Sequence, residues 1–559
     1  MDILKSLDYD KEVLQTALKV ALLNAVKHEG VARQGSVISA VLGSHPEVKK
    51  DMKNFGKISA LIVKKINELN LTSQEEMLLK IDPAALDKKE RDENIFKFMN
   101  INEKVVSVFP PGPEKYPHIG HAKALILNYL LAKTYNGKFY LRFDDTNPGL
   151  VKKEFYEAMI TDFSWLGVKW DEIIYASDHI ALYYKHCVEL INKGLAYVSS
   201  ASSEKFKEYK DKGISPIEYE QSPKENLELW EKMKSQNDGE AVVRLKIDIN
   251  HKNSTMRDPI IFRIISQSHA KQKNKYKVWP NYDFQTAIMD GYYKVNYRLR
   301  SKEFEMRNEL QRYIQKILGY SQSNIYEFAR FTLKDVETSG RKIRELIQSG
   351  ELLGWDDPSL VTLSALRKRG FQPEAIKNFL LNTGISKNEA VLSLNDLILE
   401  NKRILDEQAK RLFFVKDPVK VKILNAPNKN ISLNLNPNKK DGKRTIAINE
   451  EMFVSKLDLK SLKKGSIYRF IEAFNVKYLG NESFEFVDND LNTYKESGRG
   501  MLHYLDDGIQ VTIVHPDKSK SKGLAENHVE KIKKGEAVQF ERFGFCAKVA
   551  DKEFYFTHD

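Results

Sequence analysis

Cysteine is nearly absent from this 559-residue chain: only Cys187 and Cys546 occur, far apart and with no second cysteine near either. Neither a disulfide framework nor a four-cysteine site can be built, so no structural zinc is expected and the expected compartment is reducing cytoplasm. Proline and glycine are sparse, at 17 and 28 residues, which excludes collagen-like and Pro/Gly-rich low-complexity chains. No apolar run approaches the roughly 18 residues of a membrane span. The N-terminal MDILKSLDYDKEV carries acids and lysines from the start, so neither a targeting signal nor a membrane anchor is expected. No segment repeats at a period of about 20 to 50 residues, which argues against a solenoid.

What is present is the composition of a packed globular protein, 42% apolar and 30% charged. At roughly 150 residues per domain, this length predicts three to four domains. Lys plus Arg number 89 against 77 Asp plus Glu, a net charge of +12 with a pI near 9.1. That balance favours an anionic partner, nucleic acid first, although a solvated lysine-rich surface accounts for charge alone.

Residues 1 to about 100 carry apolar positions at helical spacing (Val13, Leu14, Leu18, Ala21, Leu22, Ala25, Val26), which predicts a small helical domain. After Lys104 the pattern changes. VVSVFPP reads as a strand, HIGHAKALILNYLLAK as a helix and KFYLRFDD as a second strand, so a βαβ unit and a parallel sheet should follow. SSASSEKFKEYKDKG, after Ser199, reads as a surface insertion. AVVRLKIDI, RDPIIFRII and VWPNYDF read as the place where the sheet resumes. Residues 341–411 are helical in pattern (RKIRELIQSG, TLSALRKRG, PEAIKNFLL), and beyond Phe413 short alternating runs such as VKVKIL, GIQVTIVH and AVQFERFGF predict β-barrels.

The sharpest chemical signal is His118-Ile119-Gly120-His121, between a strand and a helix. Amides at a helix start present positive partial charge to phosphate, a glycine lets a nucleotide base approach the backbone, and two imidazoles add donors. Two helix-capping histidines are the competing reading. A zinc site is the weaker alternative, because no His or Cys cluster supplies the two further ligands.

FPPGPEKYPHIGHAKALILN, LRFDDTNP, VWPNYDF and GWDDPSLVTLSALRKRGFQPEAI together resemble archaeal-type glutamyl-tRNA synthetase, of the class I glutamyl/glutaminyl-tRNA synthetase family. The motifs stand in family order, and the resemblance runs from LQTALKVALLNAVKHEG to the closing VQFERFGF. It implies an α/β fold: a class I Rossmann-like parallel-sheet catalytic domain over 101–198 and 275–340, with a helical N-terminal extension over 1–100. It also implies an inserted acceptor-end-binding domain over 199–274, a helical stem-contact domain over 341–411 and a β-barrel anticodon-binding domain over 412–559.

The implied activity is ATP-dependent ligation of glutamate to the 3′ end of tRNA(Glu), with tRNA(Gln) left open, Mg²⁺ accompanying the triphosphate, and a monomer as the expected state. By this resemblance His118 and His121 contact the triphosphate, Pro110 and Gly120 belong to the ATP site, Asp144 holds the substrate ammonium, and Tyr282 and Arg300 line the amino acid side chain. Arg300 is the natural partner of a γ-carboxylate, because its planar fork can bond both oxygens. A turn-capping role for Asp144 and a surface position for Arg300 are the plainer alternatives.

Some positions depart from the family pattern. Val108 stands where an arginine is usual, Gly112 replaces a polar residue, and Glu114-Lys115 replace a small residue and a glycine. The mobile lysine-bearing loop aligns with Val336–Lys342, and its usual lysine position is Gly340. Ser339, Arg341 and Lys342 are then the expected phosphate-binding residues, with a helix-capping Ser339 and ordinary surface bases as the alternative. Basic loops (KEYKDKG, RKRG, NPNKKDGKR, PDKSKSKG) suit tRNA phosphates. A glutaminyl-tRNA synthetase and a catalytically impaired tRNA-binding paralogue, the latter motivated by Val108, Gly112 and the lysine-poor loop, are the rival assignments.

Overall fold

The computed structural model describes residues 4, 7–27, 30–82, 85, 94–334 and 336–559. The chain divides into two compact units, Met1–Asn94 and Ile95–Asp559.

In the first unit α1 (Lys11–Lys27), α2 (Gln34–Ser44), α3 (Met52–Asn67) and α4 (Leu71–Ile81) share one core. The helical spacing read from the sequence is realised: Val13, Leu14, Leu18, Ala21, Leu22 and Ala25 are buried in it, with Val26 at its edge. Phe55, Ile62 and Ile66 of α3 and Leu78 of α4 complete the core, and Asn70 caps α4 by accepting from the Ser73 amide at 2.9 Å.

The second unit opens with the expected βαβ pattern. β1 (Val106–Phe109), α5 (Ile119–Thr134), β2 (Lys138–Phe143), α6 (Lys153–Trp165) and β3 (Glu172–Tyr175) build a parallel sheet, with Val106 opposite Lys138 and Tyr140 opposite Glu172. Helix α5 buries residues around most of its circumference, among them Ile119, Ala122, Leu125, Ile126, Leu127 and Leu131. An all-round apolar helix needs cover on every side. α7 (Ile180–Asn192) then leads into β4 (Ala196–Ser199), α8 (Ser203–Lys212), α9 (Pro223–Met233), β5 (Val242–Leu245), β6 (Ile260–Ile264) and β7 (Val278–Pro280).

Here the structure corrects one expectation. The strands at 242–245 and 260–264 do not extend the parallel sheet; they pair antiparallel in a separate four-stranded sheet of order β4-β5-β6-β7. The reason lies in their connections. Residues 246–259 hold no α-helix, only the one-turn helix Ser254–Met256, so the chain returns from β5 to β6 as an antiparallel neighbour without the helical crossover usual between parallel strands.

The parallel arrangement returns with α10 (Tyr282–Tyr292), β8 (Tyr297–Ser301), α11 (Arg307–Ile317) and β9 (Asn324–Phe328), β8 and β9 being parallel. Two asparagines join β8 to the first half. The Asn296 amide donates to the Val106 carbonyl at 3.1 Å, while its Oδ1 accepts from the Val106 amide at 2.7 Å. Asn128 of α5 does the same for Leu299, accepting from its amide at 2.9 Å and donating to its carbonyl at 2.7 Å. A side-chain amide thus stands in for a missing neighbouring strand where the two halves meet, and such switch points are where α/β sheets place their ligands.

β10 (Phe331–Leu333), α12 (Gly340–Gln348), α13 (Leu363–Lys368), α14 (Pro373–Asn382), β11 (Ala390–Leu392) and α15 (Leu394–Gln408) follow, β10 pairing parallel with β11. Beyond them the chain is almost entirely strands. β12 (Lys410–Leu412) and β13 (Phe414–Lys416) join five strands between Ile509 and His558 in one seven-stranded sheet, and strands between Pro418 and Leu505 form a second. The second sheet is therefore inserted in sequence between β13 and the rest of the first, a nearly closed pair of barrels. Arg369 fastens the helical stretch to the last strand, donating to the Phe556 and Thr557 carbonyls at 3.2 and 2.8 Å. Among the described residues no helix is long and apolar enough to cross a membrane.

Candidate active site

A cavity of about 750 Å³ opens at the carboxyl ends of β1, β2 and β8 and the start of α5, lined by Pro110, Lys115, His118, His121, Asp144, Tyr282 and Arg300 among others. Residues from positions 109 to 338 meet there, so only the folded sheet assembles it.

His118 is the N-cap of α5, and its Nδ1 accepts from the Gly120 amide at 3.0 Å. His121 returns the favour, its Nδ1 accepting from the His118 amide at 3.2 Å. The two rings lie 4.1 Å apart. The capping role weighed against a phosphate role is thus real, but it uses only one nitrogen of each ring. A neutral imidazole that accepts at Nδ1 carries its proton on Nε2, so both retain an N–H to donate. Burial, then the neighbouring His121 and Lys115, hold His118 well below the ordinary imidazole range; burial and Lys115 push His121 down to about 3. The pair is neutral at physiological pH. At Gly120 a Cβ would meet His118 Cε1 at 2.8 Å, so this glycine makes room for the folded-back ring.

Asp144 follows β2, and its carboxylate is fully engaged: it accepts from Arg142 Nε at 2.7 Å, Gln285 Nε2 at 2.8 Å, Thr286 Oγ1 at 3.1 Å and Arg142 Nη2 at 3.4 Å. Arg142 also donates to Asp290 at 2.6 Å, and Asp290 accepts from Arg298 at 2.8 Å and Gln311 at 2.8 Å. Burial raises the Asp290 carboxyl, but the Arg298 and Arg142 guanidiniums outweigh it and the net displacement is downward. Gln285, which lines the cavity, keeps a buried Oε1 with no partner among the described residues.

Arg298 and Arg300 alternate on β8 with Leu299 between them, and both reach the cavity. Their partners differ. Arg298 has the Asp290 carboxylate and, at 3.4 Å, the Tyr282 hydroxyl. Among the described residues Arg300 is buried yet donates only to neutral oxygens, those of Asn308, Gln311 at 3.1 Å and the Phe304 carbonyl at 3.4 Å, and its Nε has no acceptor there. Burial and then the charge of Arg298 lower its pKa to about 10. A buried cation without a counter-ion is set for an anion.

Position 108 does not itself line the cavity. Val108 is fully buried on β1 and its neighbour Phe109 lines the cavity.

The loop before α12 departs from expectation. Val336 and Thr338 line the cavity, but Ser339, Arg341 and Lys342 are not brought to it. Ser339 caps α12, accepting from the Lys342 amide at 3.5 Å. Arg341 is 87% exposed and pairs with Glu345 at 3.0 Å, and Lys342 is 65% exposed and pairs with Glu337 at 3.0 Å. The first turn of α12 carries these two side chains outward, while Gly340, on the inward side, has none to offer.

The sequence reading missed several cavity residues. Lys115, Lys123, Arg263, Arg298 and Arg330 line the site. Lys123 is buried, donates to the Ala329 carbonyl at 3.3 Å and sits over the Phe328 ring at 5.2 Å, and burial lowers its pKa to about 8. Arg142 and Asp290 are separated by 148 positions, and no local pattern marks such a pair. An arginine at alternate positions of a strand, as in YRLRS, was the available hint for Arg298.

The catalytic-domain pattern of the class I tRNA synthetases for E and Q matches residues 104–406, and two anticodon-binding-domain patterns of the same class match 409–491 and 493–548. A glutamate–tRNA ligase of Pyrococcus abyssi is 39% identical, covering 96% of this chain and 97% of its own. One of Pyrococcus furiosus is 37% identical over 96% and 97% of the two chains, and one of Nitrosopumilus maritimus 35% identical over 98% and 100%. The chain belongs to the class I tRNA synthetases of the glutamate and glutamine group.

Proposed function

We propose that the cavity performs the two steps of a glutamate–tRNA ligase. In the first, glutamate's α-carboxylate oxygen attacks the α-phosphorus of ATP, the bond from that phosphorus to the bridging oxygen breaks, and pyrophosphate leaves with the electron pair. In the second, the terminal ribose hydroxyl of tRNA attacks the acyl carbon of glutamyl-adenylate and AMP departs. The observation that carries the amino acid assignment is Arg300: a buried guanidinium with neutral oxygens for company offers glutamate's γ-carboxylate two charge-assisted bonds, and offers glutamine's amide one acceptor and one mismatched NH₂.

The α5 terminus and the Nε2–H groups of His118 and His121 point to a phosphate role, with donors fixed in advance of the reaction. Pro110 and Gly120 frame the same pocket. The substrate ammonium is assigned to the wall formed by Asp144 and Gln285, and the amino acid side chain to Tyr282 and Arg300. Since Asp144 already receives four donors, the vacant acceptor is Gln285 Oε1. Mg²⁺ is assigned to arrive with the triphosphate, whose oxygens suit a hard cation.

For the nucleic acid, residues 199–274 are assigned the acceptor end, 341–411 the stem and 412–559 the anticodon, in a cytoplasmic monomer. The +12 charge supports a polyanionic partner. The deciding experiment is charging of unfractionated tRNA with glutamate against glutamine: glutamate is the substrate expected, and a preference for glutamine transfers the chain to the glutaminyl assignment.

A further inference from the structure

Six cations line the cavity, and five are already committed. Arg298 pairs with Asp290, Arg330 with Glu303 at 2.8 Å, Arg263 donates to Asn281, Lys123 is buried with its Nζ held by the Ala329 carbonyl at 3.3 Å and over the Phe328 ring, and Arg300 is assigned to the amino acid side chain. Lys115 is different. It is half-buried, has no ion-pair partner within contact distance among the described residues, and its Nζ has only the Thr338 carbonyl at 3.5 Å. Its stem occupies a telling place: a Cβ on Gly340 would lie 2.6 Å from Lys115 Cδ. The space into which a side chain at 340 would grow is therefore filled by Lys115, reaching in from the opposite wall.

We infer that Lys115 is the cation that binds the ATP triphosphate in this chain, entering from the loop before α5 in place of a side chain at position 340. Its ammonium lies near enough to His118 and His121 to lower their basicity, so all three converge on one region. Burial outweighs Glu114 and Glu303 and lowers the Lys115 pKa, which shows a charge poorly served by solvent and by the protein. An anion arriving there replaces the weak carbonyl contact with charge-assisted bonds. Once the α-phosphorus bond breaks, the same ammonium faces the charge that develops on pyrophosphate. The bond to Thr338 also makes Lys115 a latch between this loop and the segment before α12.

This inference rests on the ATP site proposed above but not on the identity of the amino acid, and two measurements separate the two. Calorimetric titration with ATP alone should show Lys115→Met, which keeps the stem and removes the charge, binding about tenfold more weakly than wild type. In glutamate-dependent ATP–pyrophosphate exchange with tRNA present, Lys115→Met should lose on the order of 10² in kcat, with the KM for glutamate within about twofold.

Exchanging the two positions is the stringent arm. Lys115→Gly combined with Gly340→Lys should be at least about tenfold faster than Lys115→Gly alone, because a lysine at 340 inherits the vacated space; Lys115→Arg should also retain most activity. ATP affinity within about twofold of wild type in Lys115→Met, or a loss that neither Lys115→Arg nor the exchanged pair recovers, overturns the assignment. If wild type shows no exchange with glutamate while the ATP affinities differ as stated, Lys115 stands and the amino acid assignment falls.

Discussion

Arg142 and Asp290, 148 positions apart in the chain, meet at 2.6 Å with both side chains essentially out of solvent. Arg142 carries this contact onward to Asp144 at the cavity wall, and Asp290 carries it to Arg298 on β8. Two carboxylates and two guanidiniums thus balance, and the pair spans the two halves of the parallel fold. Replacing Asp290 by Asn removes one negative charge and leaves two buried cations sharing Asp144. Breaking a buried pair in this way costs about 3 to 5 kcal/mol. Denaturant unfolding should show that loss, together with weakened amino acid binding, since Arg142 and Arg298 lose their shared carboxylate. A loss under 1 kcal/mol would contradict the account.

Arg300→Gln should lower kcat/KM for glutamate by about 2 to 4 kcal/mol, or roughly 30-fold to 10³-fold, while glutamine changes within about threefold. The asymmetry is the informative quantity. Equal losses for both substrates would mean that Arg300 supports the pocket, with no part in choosing its occupant.

His121→Ala should slow adenylation by at least about 10² at nearly unchanged ATP affinity, through loss of a donor aimed at the transition state. The pH dependence has a definite sign. His121 has a pKa of about 3 in the folded protein against 6.5 for a free imidazole, so the unfolded chain binds the extra proton first. Its contribution is complete above pH 6.5 and is lost as pH falls from 6.5 toward 3, by at most about 1.4 kcal/mol per unit. NMR titration should find both imidazoles of the His118/His121 pair neutral from pH 5 to 8, and a titration midpoint near 6.5 for either would overturn the neutral-donor assignment.

The tRNA complex should weaken at least tenfold between 50 and 200 mM salt, because neutralised phosphates release counterions. Equilibrium binding with total tRNA measures this directly. A flat response would remove the basic loops from the interface.

The sequence by itself determined what depends on neighbours along the chain. The spacing of Val13, Leu18, Leu22 and Ala25 made α1 an apolar-faced helix, the order strand, loop, helix, strand around 106–143 made a parallel βαβ unit, and His118-Ile119-Gly120-His121 marked the capped start of α5, since capping and helix dipoles act within one turn. The strands at 242–280 were legible as strands, but their antiparallel pairing was not, because pairing direction is fixed by connections and partners and not by composition.

The three-dimensional fold alone decided the site's electrostatics. Ser339, Arg341 and Lys342 carried the right chemistry in sequence, and helix α12 turned two of them to solvent, while Lys115, marked in sequence only as a departure from the family pattern, was folded over Gly340 into the cavity. Arg298 and Arg300 differ by two positions on one strand, yet one meets a buried carboxylate and the other neutral oxygens. A charge acts through the medium and partners around it, and those were supplied by residues up to 148 places distant, which only folding brings within reach.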